Sequence, residues 1–420
     1  MEVGVTEVAY GPSALGRTEQ GQVVFVDDSL PGERVVAEVA SRRKNFLTTR
    51  AVEVLEASPA RVIPPCPYVP RCGGCQWQHA SYEAQVSMKT RVLAETMRRA
   101  GAVVPAPEVL ACDEPLRYRV RGEFHVIPGS PHRLGFNRRR SYEVVAVDDC
   151  LIHHPNITEA LTGIAVALGE VGPHDIRALR LTTTPRRREL LWRPLGAPAP
   201  AGLQAALEVH LEGWLVHQDS LTLEFDGRRV DGRDGEVIFR VDSETFIQVN
   251  HHQAHRLYGK ALEYLGDRPG RLVEGYAGFG AMAFLAGTRV DQRARPTATT
   301  LIEENRAALV LARLHARLHG VDGVTLLPGT VEERLTQLEP GEADTVIIDP
   351  PRAGCDPAVL TELVRLRPGR IVYVSCDPST LGRDLGRLAG RGYQVAAQTL
   401  VDMFPQTYHI ESVSLLVPAA

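Results

Sequence analysis

Residues 371–380 read Ile371-Val372-Tyr373-Val374-Ser375-Cys376-Asp377-Pro378-Ser379-Thr380, and this stretch decides how the chain is read. The apolar, mostly β-branched run Ile371 to Val374 predicts a strand buried on both faces, as in a parallel sheet. Asp377-Pro378 ends the strand, and Leu381 to Ala389 has the pattern of a helix. Cys376 therefore falls at the carboxyl edge of a strand, where open α/β sheets place ligands and reactive groups. Downstream, Asp402-Met403-Phe404-Pro405-Gln406-Thr407-Tyr408-His409-Ile410-Glu411-Ser412 leads into a last apolar strand, Val413 to Val417, with Glu411 at its start. A thiol and a carboxylate at two strand ends can meet over one pocket. By position alone, Cys376 also reads as a small buried hydrophobe and Glu411 as a surface charge.

Strands and helices alternate back to about residue 245. Leu272 to Ala277 is a predicted strand, Gly278-Phe279-Gly280 a tight turn into a helix, and Thr299 to Glu303 a second strand ending in an acid. A glycine turn followed about twenty-five residues later by a carboxylate at a strand end is a layout for binding an adenosine ribose. Thr345-Val346-Ile347-Ile348-Asp349-Pro350-Pro351-Arg352-Ala353-Gly354 adds a third acidic strand end. Residues 245–420 thus predict a Rossmann-like α/β domain.

The first 58 residues read as short strands between turns, including Val23–Val26, Val35–Val39 and Ala51–Leu55, which predicts a small β-barrel. Pro59 to Pro70 marks a boundary. Cys66, Cys72 and Cys75 follow, in a Cys-x5-Cys-Gly-Gly-Cys string continuing Gln76-Trp77-Gln78-His79. Three cysteines this close predict a metal centre, with Cys150 as the fourth ligand. The spacing admits zinc or iron–sulfur. Residues 81–100 predict an amphipathic helix that packs on the catalytic domain, and residues 115–240 read as β-rich. Residues 59–244 are assigned to metal binding and to contact with a partner that their arginine clusters identify by charge.

At 420 residues the chain can build two or three domains. Hydrophobic content of 44% and charged content of 23% are ordinary for a globular protein. The N-terminus has no signal-peptide pattern and no long uncharged apolar run is found, so a cytoplasmic protein with no membrane partner is expected. Its seven cysteines then suit metal or catalysis better than disulfides. A net charge of −4 does not announce nucleic acid. Local clusters do: residues 117–145 hold seven Arg against two Glu, and residues 177–193 six Arg against one Glu. Such groups suit phosphate contacts, and equally a solvated surface.

The Ser375-Cys376-Asp377-Pro378 and Asp402-to-Ser412 segments resemble the signature regions of the uracil-C5 RNA methyltransferases, which make 5-methyluridine in tRNA and 23S rRNA. The resemblance implies that Cys376 is the nucleophile and Glu411 the base. It implies S-adenosylmethionine contacts at Gln248, Tyr276, Glu303 and Asp349. The Phe25-Val26-Asp27-Asp28-Ser29-Leu30-Pro31-Gly32 stretch resembles a TRAM domain, an OB-like RNA-binding barrel spanning residues 1–58. The Cys72-Gly73-Gly74-Cys75-Gln76-Trp77 string is similar to the family's cluster motif, implying a [4Fe–4S] cluster on Cys66, Cys72, Cys75 and Cys150. Barrel and cluster together imply 23S rRNA as the substrate, with tRNA as the alternative and a monomer as the working unit. The chain departs from the family in its glycine turn, with Glu274, Gly275, Ala277 and Ala281 where Asp, Leu, Cys and Asn are usual; Thr330 replaces a frequent Asn, and Leu151 a frequent Pro. The rival reading is a non-catalytic RNA-binding relative.

Overall fold

Alternating valines close the N-terminal strands into a barrel. The computed structural model describes residues 1–18, 20–225, 237–289 and 291–419; residues 226–236, part of the stretch expected to be β-rich, lie outside the described residues. Strands Glu2–Val8, Ala14–Arg17, Val23–Asp27, Phe46–Glu56 and Arg34–Arg42 neighbour one another in that order around a closed barrel. Val3, Val5, Val24, Val26 and Val35 fill its interior.

The central region is a six-stranded sheet, ordered Leu215–His217, Glu189–Leu195, Ala178–Thr183, Arg121–Ile127, Arg133–Asn137, Val144–Ala146. Helices Pro155–Glu170 and Leu203–His210, absent from the sequence reading, pack Ile157, Ile164 and Leu203 against Phe124 and Trp192 of this sheet. Three arginines of the first cluster, Arg121, Arg139 and Arg140, have partners within the protein. Arg121 is buried and donates to Thr182 Oγ1 and to the carbonyls of Asp242 and Thr245. Arg139 and Arg140 reach Asp28 and Asp27, fastening the central sheet to the barrel.

The catalytic sheet has eight strands: β1 (Glu108–Leu110), β2 (Arg271–Gly275), β3 (Ala298–Glu303), β4 (Val324–Pro328), β5 (Thr345–Ile348), β6 (Arg370–Ser375), β7 (Tyr393–Val401) and β8 (Glu411–Pro418). Their order is β4-β3-β2-β5-β6-β8-β7-β1. β2 to β6 pair in parallel, and β8 inserts antiparallel between β6 and β7. Residues before 245 complete this unit. β1 pairs in parallel with β7 and covers an edge that would otherwise leave backbone groups unpaired. Leu221, Leu223, Phe239 and Val241 of the hairpin Ser220–Phe225/Val237–Asp242 enter the same core as Leu257 and Phe284. Helix Tyr82–Arg99 packs Val92, Leu93 and Met97 with Leu381 and Leu385. Among the described residues no helix is long and apolar enough to cross a membrane.

Candidate active site

β6 is buried from Ile371 to Ser375. The helix after it, Pro378–Ala389, starts three residues earlier than the sequence pattern predicts. Pro378 suits a first helical position, and the Asp377 carboxylate accepts from the N–H groups of Ser379 (2.8 Å) and Thr380 (3.1 Å). Cys376 is thereby held, half-buried, between the strand end and the helix cap.

Register brings Glu411 beside it. Ser375 of β6 lies opposite Ser412 of β8, so Cys376 and Glu411 each stand one residue beyond this last pair, close enough for the Glu411 charge to act on the thiol. Glu411 is only 2% exposed. Burial raises its pKa well above the usual carboxylate range, and the charge of Asp349 adds to this while Arg352 opposes it. Asp349 follows β5 and keeps some exposure, yet its enclosure pushes its carboxyl up to about 7. Burial, then Glu411 and Asp349, push the Cys376 thiol up to about 12, again against Arg352. One thiol, two carboxyls and one guanidinium thus share this corner of the sheet.

A cavity of about 510 Å³ opens at the carboxyl ends of β2 to β5, lined by Tyr276, Glu303, Thr330, Glu332 and Gly354 among others. The turn beneath it needs glycine: Gly280 has φ +79°, and a Cβ there would collide with Leu301 and Phe284. Tyr276 also adopts a positive φ of 58°. Both oxygens of Glu303 are oriented, accepting at 2.7 Å from the N–H groups of Gly278 and Asn305. Tyr276 and Glu303 therefore lie together. Gln248 and Asp349 do not line this cavity; Asp349 stands with Cys376 and Glu411, and Gln248 is buried in the segment whose Val249 carbonyl accepts from Val120. Two departures from the family pattern, Glu274 in the turn and Thr330 outside it, have structural roles. Glu274 is buried and accepts from the Ala283 N–H at 2.9 Å, serving helix Ala281–Gly287, whose cap Gly280 has no side chain to offer. Thr330 caps helix Val331–Leu335 by accepting from Glu333 N.

Cys66, Cys72, Cys75 and Cys150 line one cavity of about 410 Å³ between the cysteine-rich segment and the central sheet. Among the described residues no three His, Cys, Asp or Glu side chains converge as they would on a single ion. The four thiols surround a space instead of meeting at a point. Cys112 and Cys355 are buried elsewhere.

The sequence reading missed the groups that hold the segment 402–410. Five successive carbonyls there each have a donor: Asp402 from Gln253, Met403 from Asn250, Phe404 from Lys89, Pro405 from Tyr118, and Gln406 from the N–H groups of both Gln76 and Trp77. Gln406 adopts φ +69° and exchanges two hydrogen bonds with Gln85. The signal was present: Gln85 and Lys89 lie on the same helical stripe as Met88, Val92 and Leu93, where apolar residues belong.

A mostly parallel sheet with β8 antiparallel between β6 and β7, a glycine turn, an acid on the neighbouring strand end and a cavity above them make up a class I methyltransferase fold. A family described as tRNA (Uracil-5-)-methyltransferase matches residues 216–418, and the TRAM domain family matches residues 1–52. The chain is 33% identical to an uncharacterized RNA methyltransferase of Caldanaerobacter subterraneus subsp. tengcongensis, over 99% of this chain and 97% of that one. It is 35% identical to another from Streptomyces coelicolor, over 100% of this chain and 93% of the relative. The fold matches the crystal structure of Pyrococcus abyssi tRNA (uracil-54, C5)-methyltransferase in complex with S-adenosyl-L-homocysteine, with a TM-score of 0.76 and 22% identity over 99% of each chain. The chain belongs to the uracil-C5 RNA methyltransferase family, and it is an S-adenosylmethionine-dependent enzyme.

Proposed function

We propose that the protein methylates C5 of a uridine in RNA through a covalent adduct on Cys376. The observation that carries this reading is the closeness of Cys376 and Glu411, each one residue beyond the Ser375–Ser412 pair and electrostatically coupled. C5 of uracil is a poor nucleophile until a thiolate adds to C6. Cys376 Sγ loses its proton to water and bonds to C6, moving electron density to C5. Tyr276 and Glu303, with Gln248 and Asp349 as further contacts, would hold S-adenosylmethionine, whose sulfonium methyl would pass to C5 with S-adenosylhomocysteine as the leaving group. The Glu411 carboxylate takes the C5 proton, the C5–C6 double bond re-forms, and Sγ leaves as thiolate. The target base is flipped out of its RNA to reach this corner.

Cys66, Cys72, Cys75 and Cys150 would hold a [4Fe–4S] cluster; the reading is supported by all four thiols lining one cavity. The barrel, the cluster and the family resemblance support 23S rRNA as substrate. A tRNA substrate is the second reading, supported by the archaeal tRNA enzyme, which shares the fold over 99% of each chain.

Incubation with 5-fluorouridine RNA and cofactor tests the reading, because fluorine at C5 leaves no proton for Glu411 to remove. A denaturation-resistant RNA adduct that is lost in Cys376→Ala is the expected result. No adduct with the wild type, on rRNA or tRNA fragments, would remove the covalent Cys376 mechanism.

A further inference from the structure

The turn after the first barrel strand, Tyr10-Gly11-Pro12-Ser13, leaves the barrel and reaches the end of β6. The Tyr10 hydroxyl donates to the main-chain carbonyl of Cys376 at 3.4 Å. Its ring lies 5.8 Å from that of Tyr408, edge to face at 75°. Tyr408 in turn lies 4.4 Å from His409, and His409 lies 5.7 Å from Phe404. Arg352, exposed, brings Nη2 to 3.4 Å from His409 Nδ1. All four rings are half-buried. A row of aromatic surfaces with a guanidinium beside it is the chemistry that takes up an unstacked nucleobase and its phosphate. Docking of barrel to catalytic domain accounts for the buried part of Tyr10, which packs with the core around Leu381 and Leu385. It does not account for an aromatic row that runs past the Cys376 backbone.

We infer that Tyr10, a residue of the N-terminal barrel, positions the substrate: together with Tyr408 it stacks the RNA base next to the target uridine. The inference rests on the uridine-methylating reading above. It makes the barrel part of the active-site wall as well as a handle on distant RNA. Flipping a uridine breaks its stack with both neighbours. An aromatic surface one base away offsets that loss for one of them and fixes the direction from which the strand enters.

The test measures methylation of a short single-stranded RNA by the full chain. Tyr10→Leu keeps an apolar side chain for docking and removes the ring; its KM for RNA should rise on the order of tenfold, with the KM for S-adenosylmethionine unchanged. Tyr10→Phe keeps the ring and should behave as the wild type. The same measurements are then made with an abasic site 5′ or 3′ of the target. For one of the two positions, the wild type should weaken as much as Tyr10→Leu, and Tyr10→Leu should weaken no further. Additive losses at both positions would overturn the inference. So would an equal loss in Tyr10→Phe, which would place the effect in the hydroxyl bond to Cys376. Absence of a 5-fluorouridine adduct in the wild type would instead remove the functional reading beneath it.

Discussion

Lys89 Nζ stands 2.6 Å from Asp402 Oδ1, and neither side chain is exposed to solvent. The same ammonium donates to the Phe404 carbonyl at 2.9 Å, and Tyr82 donates to the other Asp402 oxygen at 2.7 Å. This cluster pins the segment that delivers Glu411 to the helix Tyr82–Arg99. Burial alone drives the Lys89 pKa down, and Asp402 opposes the shift. Lys89→Met leaves Asp402 buried without its cation and should cost about 3–5 kcal/mol. Lys89→Met/Asp402→Asn should recover much of that. Urea unfolding of the three proteins decides it; a double variant as unstable as the single one would show that the pair itself is not the source of the loss.

Burial, Glu411 and Asp349 all raise the Cys376 thiol, to about 12. The thiol is therefore neutral in the resting enzyme at pH 7, and its reactivity should climb as pH rises. Glu411→Gln removes one of the raising charges, so the pH midpoint for alkylation of Cys376 by iodoacetamide should fall. With 5-unsubstituted RNA the same variant should accumulate a methylated adduct that cannot release. An unchanged alkylation profile, or normal turnover, would remove Glu411 from the site.

Glu274 is buried, and its carboxyl is pushed up to about 8, first by burial, with Asp349 and Glu303 adding to it against the Ala283 N–H. A folded pKa above the unfolded value of about 4.3 gives stability that is full below pH 4.3 and lost as pH rises toward 8. Glu274→Gln cannot ionise. Relative to the wild type it should gain stability between pH 5 and 8, on the order of a few kcal/mol. Parallel urea midpoints across that range would expose a Glu274 that ionises freely in the fold.

If the four thiols hold a cluster, protein purified without oxygen should carry iron and acid-labile sulfide, with visible absorbance. Cys72→Ser should lose both. Since Gln76 and Trp77, next to Cys75, donate to the Gln406 carbonyl, amide exchange in residues 402–410 should quicken in that variant. Stoichiometric zinc without iron in the wild type would replace the cluster with a different centre.

Much of the catalytic sheet was legible because its signals are local. Runs such as Ile371–Val374 and Val346–Ile348 are long enough to show burial on both faces, and glycine marks the turn at 278–280. Helix Pro155–Glu170 was missed because it lies among strands whose alternation set the reading of the whole region. Helix Pro378–Ala389 was begun too late because Pro378 was taken as a stop, although proline also opens helices.

By itself the sequence determined the alternating strands and helices of the catalytic domain, and it put Cys376 and Glu411 at strand ends, since hydrophobic period and turn chemistry act between residues a few positions apart. The tertiary structure decided which of these ends face each other, because β8 threads between β6 and β7 only when the whole sheet assembles. It also decided that Lys89 would meet Asp402 across 313 residues and Tyr10 would meet Cys376 across 366. No local pattern encodes such contacts. They form because buried polar groups must find partners, and folding brings the nearest ones from distant parts of the chain.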